Sequence, residues 1–334
     1  MTTSVAVLGA GAWGTALCVH LLAHSAVRPQ VVLWAREQAQ VHALDQDREN
    51  RRYLPGIALP PGLDLTSDLA QAAGADLLLI ATPMAGLPGL SATLRAIAVD
   101  RPLAWLAKGF VMEGEFPSLA HTYLASRWPG ALAAVSGPSF AGEVARGLPT
   151  ALTVASTSQT LAATIAGVLR GETLRVYESS DLAGVETVGA VKNVLAIAAG
   201  ASDGLGFGHN ARAALITRGL AETGRLTMAL GGERETVMEL AGLGDLVLTA
   251  TGDESRNRRV GLALAQDVPL PAILADLGHV AEGVAAARAV RRLAVLHAID
   301  MPICEAVDRV LHEGLPVRDA VAGLLRREPR TEFQ

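Results

Sequence analysis

The sequence has 334 residues, of which 50% are hydrophobic and 18% are charged, and its formal net charge is −5. A chain of this length exceeds the usual size of one hydrophobic core, so we expect two domains. The negative charge and the 4% content of aromatic residues argue against nucleic acid or an acidic membrane surface as a partner. No apolar run reaches the roughly 18 uninterrupted residues of a membrane span, and no basic leader precedes the first predicted strand. We therefore expect a cytoplasmic protein without membrane insertion.

The chain begins with a predicted strand, loop and helix. Residues 4–8 form an apolar run of strand length, and residues 15–23 have helical character. Between them, Gly9, Gly11 and Gly14 form a Gly-x-Gly-x-x-Gly motif. The first glycine permits a tight turn, the second lets the backbone approach a pyrophosphate, and the third lets the helix pack closely on the strand. The motif alone is a weak signal, but between a strand and a helix it predicts a dinucleotide-binding loop.

The two cysteines of the chain, Cys18 and Cys304, carry no sign of a metal site. They are far apart in the sequence and lack the spacing of metal ligands. We therefore expect no metal, and both thiols are predicted to be small buried side chains.

The end of the second predicted strand bears on the choice of cofactor. Residues 30–33 read as a strand, and Arg36 lies close to the position where an acidic residue would bind the ribose hydroxyls of NAD. A guanidinium there suits the 2′-phosphate of NADPH, so NADPH is favoured over NADH. Glu37 follows directly, and an acidic residue here favours NADH instead. The alternative interpretation of Arg36 is a surface arginine that binds no ligand.

Further strands are predicted at the spacing of an alternating α/β sheet, over residues 76–81, 102–107, 132–136, 151–155 and 174–177. Lys108 and the turn that contains Gly137 and Ser139 follow directly after two of them. Open α/β sheets bind ligands beyond the carboxyl ends of their strands, so both segments are expected to face the cofactor crevice. Residues 1–188 are accordingly predicted to form an α/β, Rossmann-like domain.

From about residue 181 the pattern becomes helical, and residues 189–334 are predicted to form an all-α domain. Residues 182–200 read as one long, nearly uncharged helix with Lys192 near its middle and Gly200 at its end. A buried lysine has a lowered pKa, which makes it a candidate general acid. The alternative is a lysine whose stem packs while its ammonium group reaches water.

The two lysines are informative because Lys108 and Lys192 are the only ones in the chain, whereas the other 26 basic residues of the 28 Lys and Arg are arginine. A lysine can transfer a proton, and an arginine keeps its charge. The alternative interpretation is that the two lysines remain by chance and have no special role.

The predicted helical domain also contains a candidate phosphate site. Ser255 is expected to cap a helix whose first turn carries Arg256 and Asn257, and such a helix N-terminus suits an anion. Arg258 and Arg259 are expected to be solvated charges. Residues 203–209 read as a glycine-rich loop, which contains His209, and Asn210 as the N-cap of the next helix.

Taken together, these motifs resemble the bacterial-type NAD(P)-dependent glycerol-3-phosphate dehydrogenase family over nearly the whole chain. The segments that carry the resemblance are Gly9-Ala10-Gly11-Ala12-Trp13-Gly14-Thr15-Ala16-Leu17, Ala107-Lys108-Gly109, Ser136-Gly137-Pro138-Ser139-Phe140-Ala141, Val191-Lys192-Asn193-Val194, Ala241-Gly242-Leu243-Gly244-Asp245-Leu246, Ser255-Arg256-Asn257-Arg258 and Glu282-Gly283. The resemblance implies interconversion of dihydroxyacetone phosphate and sn-glycerol 3-phosphate, a role in phospholipid synthesis and a cytoplasmic homodimer. Ala12 departs from the family, which often has serine there.

The resemblance also implies roles for individual residues. Lys192 would be the proton donor and acceptor. The residues implied for substrate binding are Lys108, Gly137, Ser139, Lys192, Asp245, Ser255, Arg256 and Asn257. Those implied for the cofactor are Gly9, Gly11, Ala12, Trp13, Gly14, Arg36, Tyr53, Lys108, Ala141, Arg256, Val280 and Glu282.

Two other functions are compatible with parts of the pattern. One is a related two-domain NADPH-dependent reductase of a keto or hydroxy acid such as ketopantoate, whose substrate is a carboxylate. The other is a sensor that binds NADPH and catalyses nothing. A sensor would need neither the two lysines nor the Ser255-Arg256-Asn257 cluster, which favours an enzyme.

Overall fold

A computed structural model describes residues 3–97, 100–278 and 280–327. Its elements form an α/β N-terminal part and a helical C-terminal part, as the sequence predicts. The strands are β1 (Ser4–Leu8), β2 (Gln30–Trp34), β3 (Glu49–Asn50), β4 (Leu54–Ala58), β5 (Leu63–Thr66), β6 (Leu77–Ile80), β7 (Leu103–Trp105), β8 (Val111–Glu113), β9 (Phe116–Ser118), β10 (Leu132–Ser136), β11 (Thr150–Ala155) and β12 (Leu174–Ser179).

Helices flank the sheet and then build the C-terminal part. Those of the N-terminal part are α1 (Ala12–Ala23), α2 (Gln38–Asp47), α3 (Leu69–Ala72), α4 (Leu87–Ala96), α5 (Ala120–Leu124), α6 (Ala141–Ala145) and α7 (Gln159–Leu169). Those of the C-terminal part are α8 (Leu182–Gly204), α9 (Gly208–Ala229), α10 (Asp245–Thr251), α11 (Arg256–Leu264), α12 (Leu270–Leu277), α13 (Glu282–Leu296), α14 (Pro302–His312) and α15 (Val317–Leu325). Short 3-10 turns lie at Met84–Gly86 and Glu235–Met238, and a π-turn at Leu240–Gly244 leads into α10.

Eight strands form the central sheet in the order β12-β11-β10-β7-β6-β1-β2-β5. All neighbours are parallel except β10 and β11. Strands β1 and β6 are almost wholly apolar and buried, as expected where helices cover both faces of a parallel sheet. The chain order reverses at β1, which has β2 on one side and β6 on the other. Such a switch point opens a crevice at the carboxyl ends of the strands.

The sequence did not predict strand β5 or the two small hairpins, β3–β4 and β8–β9. In β3–β4, Glu49 pairs with Ala58 and Asn50 with Leu54. Both hairpins are antiparallel and their strands are short, so neither contains the apolar run that marks a buried strand in a sequence.

Helix α8 is the centre of the C-terminal part. By length and hydropathy it could cross a bilayer, but 89% of its most apolar window is buried inside the protein, which makes it a core helix. The predicted domain boundary at residues 188 and 189 lies within this helix, which starts soon after β12 ends at Ser179.

Helix α8 was predicted to end at Gly200, and this was wrong. The helix continues to Gly204. A Cβ at Gly200 would lie 2.0 Å from the Arg258 carbonyl oxygen, and one at Gly261 would lie 2.0 Å from the Ile197 carbonyl oxygen. Both glycines therefore allow α11 to rest directly on the α8 backbone, and Gly200 does not terminate the helix.

The start of the next helix also differs from the prediction. Helix α9 begins at Gly208, with Phe207 at the N-cap. Asn210 and His209 therefore lie within its first turn, and neither a cap at Asn210 nor a loop at His209 is correct. Gly206 and Gly208 have φ angles of +77° and +80°, so the reversal of the chain is confined to the few residues between the helices.

Candidate active site

A cleft of about 2400 Å³ lies between the carboxyl edge of the sheet and the helical part. It is lined by the loop after β1, by the segments after β2, β6 and β7, and by residues of α8, α10, α11 and α13. This volume exceeds the roughly 300–1000 Å³ of a usual small-ligand pocket. The cleft therefore has room for a dinucleotide together with a second, small ligand.

The loop after β1 has the geometry that the glycine motif predicts. Gly9 has a φ of +130°, and a Cβ there would lie 2.8 Å from the Ala81 carbonyl carbon. A Cβ at Gly14 would lie 2.0 Å from the Gly9 carbonyl oxygen, so α1 packs directly on the loop. Gly11 caps α1 without a side-chain hydrogen bond, and no atom lies near its missing Cβ. The N-terminus of α1 is therefore accessible to an anion such as a pyrophosphate, and the loop fits a dinucleotide.

Trp13 ties this loop to the turn after β10. Its Nε1 donates a hydrogen bond to the Ser139 carbonyl at 3.0 Å. Ala141 starts helix α6 directly after that turn. Two predicted segments from distant parts of the sequence thus lie side by side in the cleft.

Arg36 and Glu37 form an ion pair at the far end of the cleft. The two atoms of closest approach, Arg36 Nε and Glu37 Oε1, are 3.0 Å apart, and the side chains are 83% and 67% exposed. Tyr53 lines the same region, and the guanidinium of Arg52 lies 5.0 Å from the centre of its ring. Exposed pairs of this kind contribute little stability, so Arg36 is available to a ligand.

The two lysines converge on one buried carboxylate. Asp245 Oδ1 accepts a hydrogen bond from Lys192 Nζ at 3.0 Å, and Oδ2 accepts one from Lys108 Nζ at 2.5 Å. Lys108 also donates to the Gly137 carbonyl at 3.1 Å. A lysine from the segment after β7, a lysine from α8 and an aspartate from α10 therefore form one cluster across both parts of the chain.

Lys192 is held in a state from which it can release its proton. Its side chain is 10% exposed, and this burial lowers its pKa from 10.5 to about 8. The charge of Asp245 opposes the shift, and the charges of Lys108 and Arg256 add to it. The alternative of an ammonium group that reaches open water does not hold in this structure.

Asp245 stays ionised in this setting. Burial acts to raise the pKa of its carboxyl group, but the ammonium groups of Lys108 and Lys192 more than offset that effect and lower it. A buried charge of this kind is tolerated because both oxygens are paired.

Thr249 is a further partner of Lys192, which the sequence did not reveal. Lys192 Nζ donates to Thr249 Oγ1 at 2.7 Å, and Thr249 Oγ1 donates to the Asp245 carbonyl at 2.7 Å. An ammonium group has three N–H bonds. Asp245 and Thr249 accept two of them, which leaves the third for a ligand in the cleft.

Asn193 connects the segments around the lysines and was likewise missed. Its side-chain oxygen accepts a hydrogen bond from Asn257 Nδ2 at 2.9 Å, and its amide lies 3.4 Å from the Lys108 carbonyl. Asn257 Oδ1 in turn accepts from the Gly283 N–H at 3.1 Å. Asn257 Oδ1 and one of the two Nδ2 hydrogens are thus engaged, so the second Nδ2 hydrogen and the backbone N–H in the first turn of α11 remain for a ligand.

The N-terminus of α11 is built as predicted, with one exception. Ser255 is the N-cap, and its Oγ accepts from the Arg258 N–H at 3.2 Å. Arg258 is not a solvated charge, because its side chain is 13% exposed and pairs with Asp203 and Asp253, each at 2.9 Å. These pairs hold the first turn of α11 in place, while Arg256 is exposed towards the cleft.

Glu282 joins α13 to the sheet. Its Oε1 accepts a hydrogen bond from the Met84 N–H at 3.1 Å. Burial raises the pKa of this carboxyl group, although the Met84 N–H and the charge of Arg256 act against the rise. Glu282 thus lies between the loop after β6 and the α11 terminus.

Most of the predicted site residues share this cleft. Those that line it are Gly9, Gly11, Ala12, Trp13, Arg36, Tyr53, Lys108, Ser139, Ala141, Lys192, Asp245, Ser255, Arg256, Asn257, Val280 and Glu282. Gly14 and Gly137 support it from behind, Gly14 under the loop and Gly137 through its carbonyl group. Their individual roles remain predictions.

Comparison with known proteins identifies the family of this chain. The family model described as NAD-dependent glycerol-3-phosphate dehydrogenase N-terminus matches residues 4–162, and the corresponding C-terminus model matches residues 181–322. The chain belongs to the NAD-dependent glycerol-3-phosphate dehydrogenase family.

Similar proteins support this membership over the full length. A curated protein of Aromatoleum aromaticum, named glycerol-3-phosphate dehydrogenase [NAD(P)+], is 55% identical over 98% of this chain and 99% of its own. A protein of Janthinobacterium with the same name is 52% identical over 99% of both chains. The crystal structure of glycerol-3-phosphate dehydrogenase from Coxiella burnetii is 42% identical, with a TM-score of 0.92 over 98% of this chain and 99% of that one.

These findings confirm the main predictions from the sequence. The family, the two-part fold, the class of enzyme and the use of NADH or NADPH agree with the comparisons. Both cysteines are buried and free, as expected. This glycerol-3-phosphate dehydrogenase family member is thus an NAD(P)-dependent oxidoreductase whose cofactor loop and paired lysines face one cleft.

Proposed function

We propose that this protein interconverts dihydroxyacetone phosphate and sn-glycerol 3-phosphate and that it prefers NADPH to NADH. The observation that carries the proposal is the cluster of Lys192, Asp245 and Lys108, which faces a cleft with a helix N-terminus on its wall. A keto-phosphate needs a proton donor at its carbonyl oxygen and an anion site at its phosphate. The cluster and the N-terminus of α11 match these two needs.

Reduction of the ketone requires a hydride at C2 and a proton at the oxygen. When bound, the reduced nicotinamide supplies the hydride. Lys192 stabilises the negative charge that develops on the oxygen and transfers one proton to it. The lysine becomes a neutral amine and regains a proton from water. In the reverse direction the neutral amine takes the hydroxyl proton.

The neighbours of Lys192 direct this transfer. Asp245 and Thr249 occupy two of its N–H bonds, so the third is free to bind the substrate oxygen. A pKa of about 8 lies close to neutral pH, where a general acid is most effective in both directions. An arginine in this place would keep its proton.

Phosphate binding is assigned to the first turn of α11. Backbone N–H groups at a helix start and the Arg256 guanidinium together favour an anion. Ser255 caps the helix, and Asn257 contributes its backbone N–H. Lys108, with Gly137 and Ser139 behind it, is assigned to the hydroxyl end of the substrate. Binding of the remote phosphate contributes to the positioning of the carbonyl group.

Cofactor binding is assigned to the remaining residues of the cleft. Gly9, Gly11 and Gly14 shape the loop for the pyrophosphate, and Arg36 is assigned to the 2′-phosphate of NADPH. The other residues assigned to the cofactor are Ala12, Trp13, Tyr53, Lys108, Ala141, Arg256, Val280 and Glu282.

We further propose a cytoplasmic homodimer that supplies glycerol 3-phosphate for phospholipid synthesis. The dimer is proposed from the family resemblance; Met228, Met238 and Val247, which are 52%, 63% and 42% exposed and lie on elements in contact with one another, are candidate contact residues. Two free thiols suit a reducing compartment. A mass of twice 34.6 kDa in light scattering would be expected, and a monomer at all concentrations would contradict the dimer.

The function is tested by following NADPH absorbance with three ketones. Rapid oxidation is expected with dihydroxyacetone phosphate, and little with unphosphorylated dihydroxyacetone or with ketopantoate. Inorganic phosphate should inhibit, whereas small carboxylates should not. If dihydroxyacetone phosphate causes no oxidation of either NADPH or NADH, the proposal is contradicted. Turnover of ketopantoate would instead favour the keto-acid reductase.

A further inference from the structure

The carbonyl group of Ala10, within the glycine loop, accepts hydrogen bonds from two side-chain amides. Gln40 Nε2 donates to it at 2.8 Å and Asn50 Nδ2 at 3.1 Å. Gln40 lies on α2 and Asn50 on β3, and both side chains reach back to the loop from 30 and 40 residues further along the chain. Nothing in the glycine motif itself requires either residue.

Both polar atoms of the Asn50 side chain, Nδ2 and Oδ1, form hydrogen bonds that fix its position. Asn50 is 3% exposed. Its Nδ2 donates a second hydrogen bond to Thr15 Oγ1 at 2.7 Å, and its Oδ1 accepts from the Tyr53 N–H at 3.3 Å. Because a carbonyl oxygen can only accept and a backbone N–H can only donate, this arrangement sets the orientation of the amide. Asn50 therefore joins the loop, α1 and the β3–β4 turn.

The two amides determine which way the Ala10–Gly11 peptide group faces. In a planar trans peptide the C=O and the following N–H point in opposite directions. With the Ala10 carbonyl held by Gln40 and Asn50, the Gly11 N–H points away from them. Gly11 also lacks any atom near its missing Cβ and lines the cleft. The hydrogen bonds to Ala10 thus present the Gly11 N–H on the side open to an anion.

We propose that Asn50 and Gln40 are positioning residues that hold the loop in the orientation that binds the pyrophosphate of the dinucleotide. They act through the Ala10 carbonyl and not through contact with the 2′-phosphate. The proposal depends on dinucleotide binding alone and is independent of which ketone is the substrate. Without the hydrogen bonds from Asn50 and Gln40, the Ala10–Gly11 peptide group could rotate. Its carbonyl oxygen, which carries a partial negative charge, could then face the phosphates of the dinucleotide.

The test measures Kd for NADPH and for NADH by nucleotide fluorescence, without substrate. Gln40→Met removes one donor and keeps the length of the side chain. Gln71→Met is the matched control, because Gln71 Oε1 accepts a hydrogen bond from Thr66 Oγ1 away from the loop. Asn50→Asp replaces the amide donor by an acceptor that faces the Ala10 oxygen.

Loss of one net hydrogen bond corresponds to about 3-fold to 10-fold in affinity. We expect Gln40→Met to raise Kd about 3-fold and Asn50→Asp about 10-fold, by the same factor for NADPH and NADH. With saturating NADPH, kcat and KM for dihydroxyacetone phosphate should stay within about 2-fold of the parent values. Gln71→Met should leave Kd unchanged.

Three results would overturn the proposal. Unchanged affinity in folded Gln40→Met would show that the Ala10 contact is dispensable, and this variant suffices if Asn50→Asp does not fold. A loss confined to NADPH would assign the residues to the 2′-phosphate. An equal loss in Gln71→Met would show a general structural effect.

Discussion

Thr249 Oγ1 accepts a hydrogen bond from Lys192 Nζ at 2.7 Å, and the same hydroxyl group donates its own proton to a backbone carbonyl on α10. The threonine can therefore only accept from the lysine. The direction of this bond matters because it favours the charged form of Lys192 in a buried place.

Replacement of Thr249 by valine tests that relationship. Thr249→Val keeps the shape and removes the acceptor, so the pKa of Lys192 should fall below its present value of about 8. We expect the loss of one hydrogen bond to a charged group to reduce kcat for ketone reduction at neutral pH by about 10-fold. The alkaline limb of the pH profile should move to lower pH.

Thr251→Val is the control for this substitution. Thr251 lies on the same helix, is exposed, and donates to the Val247 carbonyl. Its replacement should leave the pH profile in place. The same profile for Thr249→Val and the parent protein would refute the role of Thr249.

Replacement of Lys192 by arginine should separate binding from proton transfer. Lys192→Arg keeps a positive charge beside Asp245 but cannot release a proton at ordinary pH. We expect a folded protein with unchanged Kd for NADPH and a kcat lower by about 10³-fold. Stopped-flow or steady-state turnover at near-normal rate would exclude Lys192 as the acid.

The pH dependence follows from the lowered pKa of Lys192. Ketone reduction needs the protonated amine, so its kcat should fall as pH rises through about 8. Alcohol oxidation needs the neutral amine and should rise over the same interval. Initial rates in both directions between pH 6 and pH 10 measure this.

Asp245→Asn refines the same experiment. The charge of Asp245 raises the pKa of Lys192 against the effect of burial, so its removal should move both limbs to lower pH. Two results would contradict the assignment of this pH dependence to Lys192. One is a shift of the profiles to higher pH in Asp245→Asn, and the other is a rate that changes in the same direction with pH for ketone reduction and alcohol oxidation.

Arg36 and Glu37 should control the choice of dinucleotide. Arg36→Ala is expected to raise KM for NADPH by about 10-fold and to leave KM for NADH nearly unchanged, since a charged hydrogen bond contributes about 1.5–3 kcal/mol. Glu37→Gln frees the guanidinium from its partner and should improve NADPH binding. Equal changes for the two cofactors would place the 2′-phosphate elsewhere.

Arg256 should determine the requirement for phosphate. Arg256→Ala is expected to raise KM for dihydroxyacetone phosphate by about 100-fold, the scale of a lost charge-assisted contact. With saturating NADPH and at a pH well below 8, where Lys192 is protonated in both proteins, the weak turnover of unphosphorylated dihydroxyacetone should change much less. Arg259→Ala is the control, because Arg259 lies on the same helix and its partner Asp276 is 3.9 Å away. If both variants behave alike, Arg256 has no specific role.

Features coded by neighbouring residues could be predicted from the sequence. The glycine motif and the Ser255 cap are each recognisable within about six consecutive residues, and both are found where they were expected. That Lys108 and Lys192 are functional was predicted from the contrast with the arginine background. Their convergence on one carboxylate was not, because Lys108 and Asp245 are 137 residues apart in the sequence.

Features that depend on a distant neighbour were missed or misread. Gly200 resembles a helix end, but α11 crosses the helix there and needs the space. Arg258 resembles a surface charge, but Asp203 from α8 covers it. Thr249 carried one local signal, since residues four apart on a helix share a face and Asp245 was already a candidate.

The contact of α8 with α11 has a consequence for the length of the substrate. Lys192 lies on one of these helices and Arg256 begins the other. Glycines at the crossing bring backbone against backbone, so no layer of side chains can compress or rearrange to change the separation. The distance between the Cα atoms of Lys192 and Arg256 is therefore fixed by the main chain. If Arg256 binds the phosphate and Lys192 the carbonyl oxygen, as proposed, we expect a substrate homologue with one more carbon to be reduced more slowly, because its carbonyl group would be displaced from the lysine.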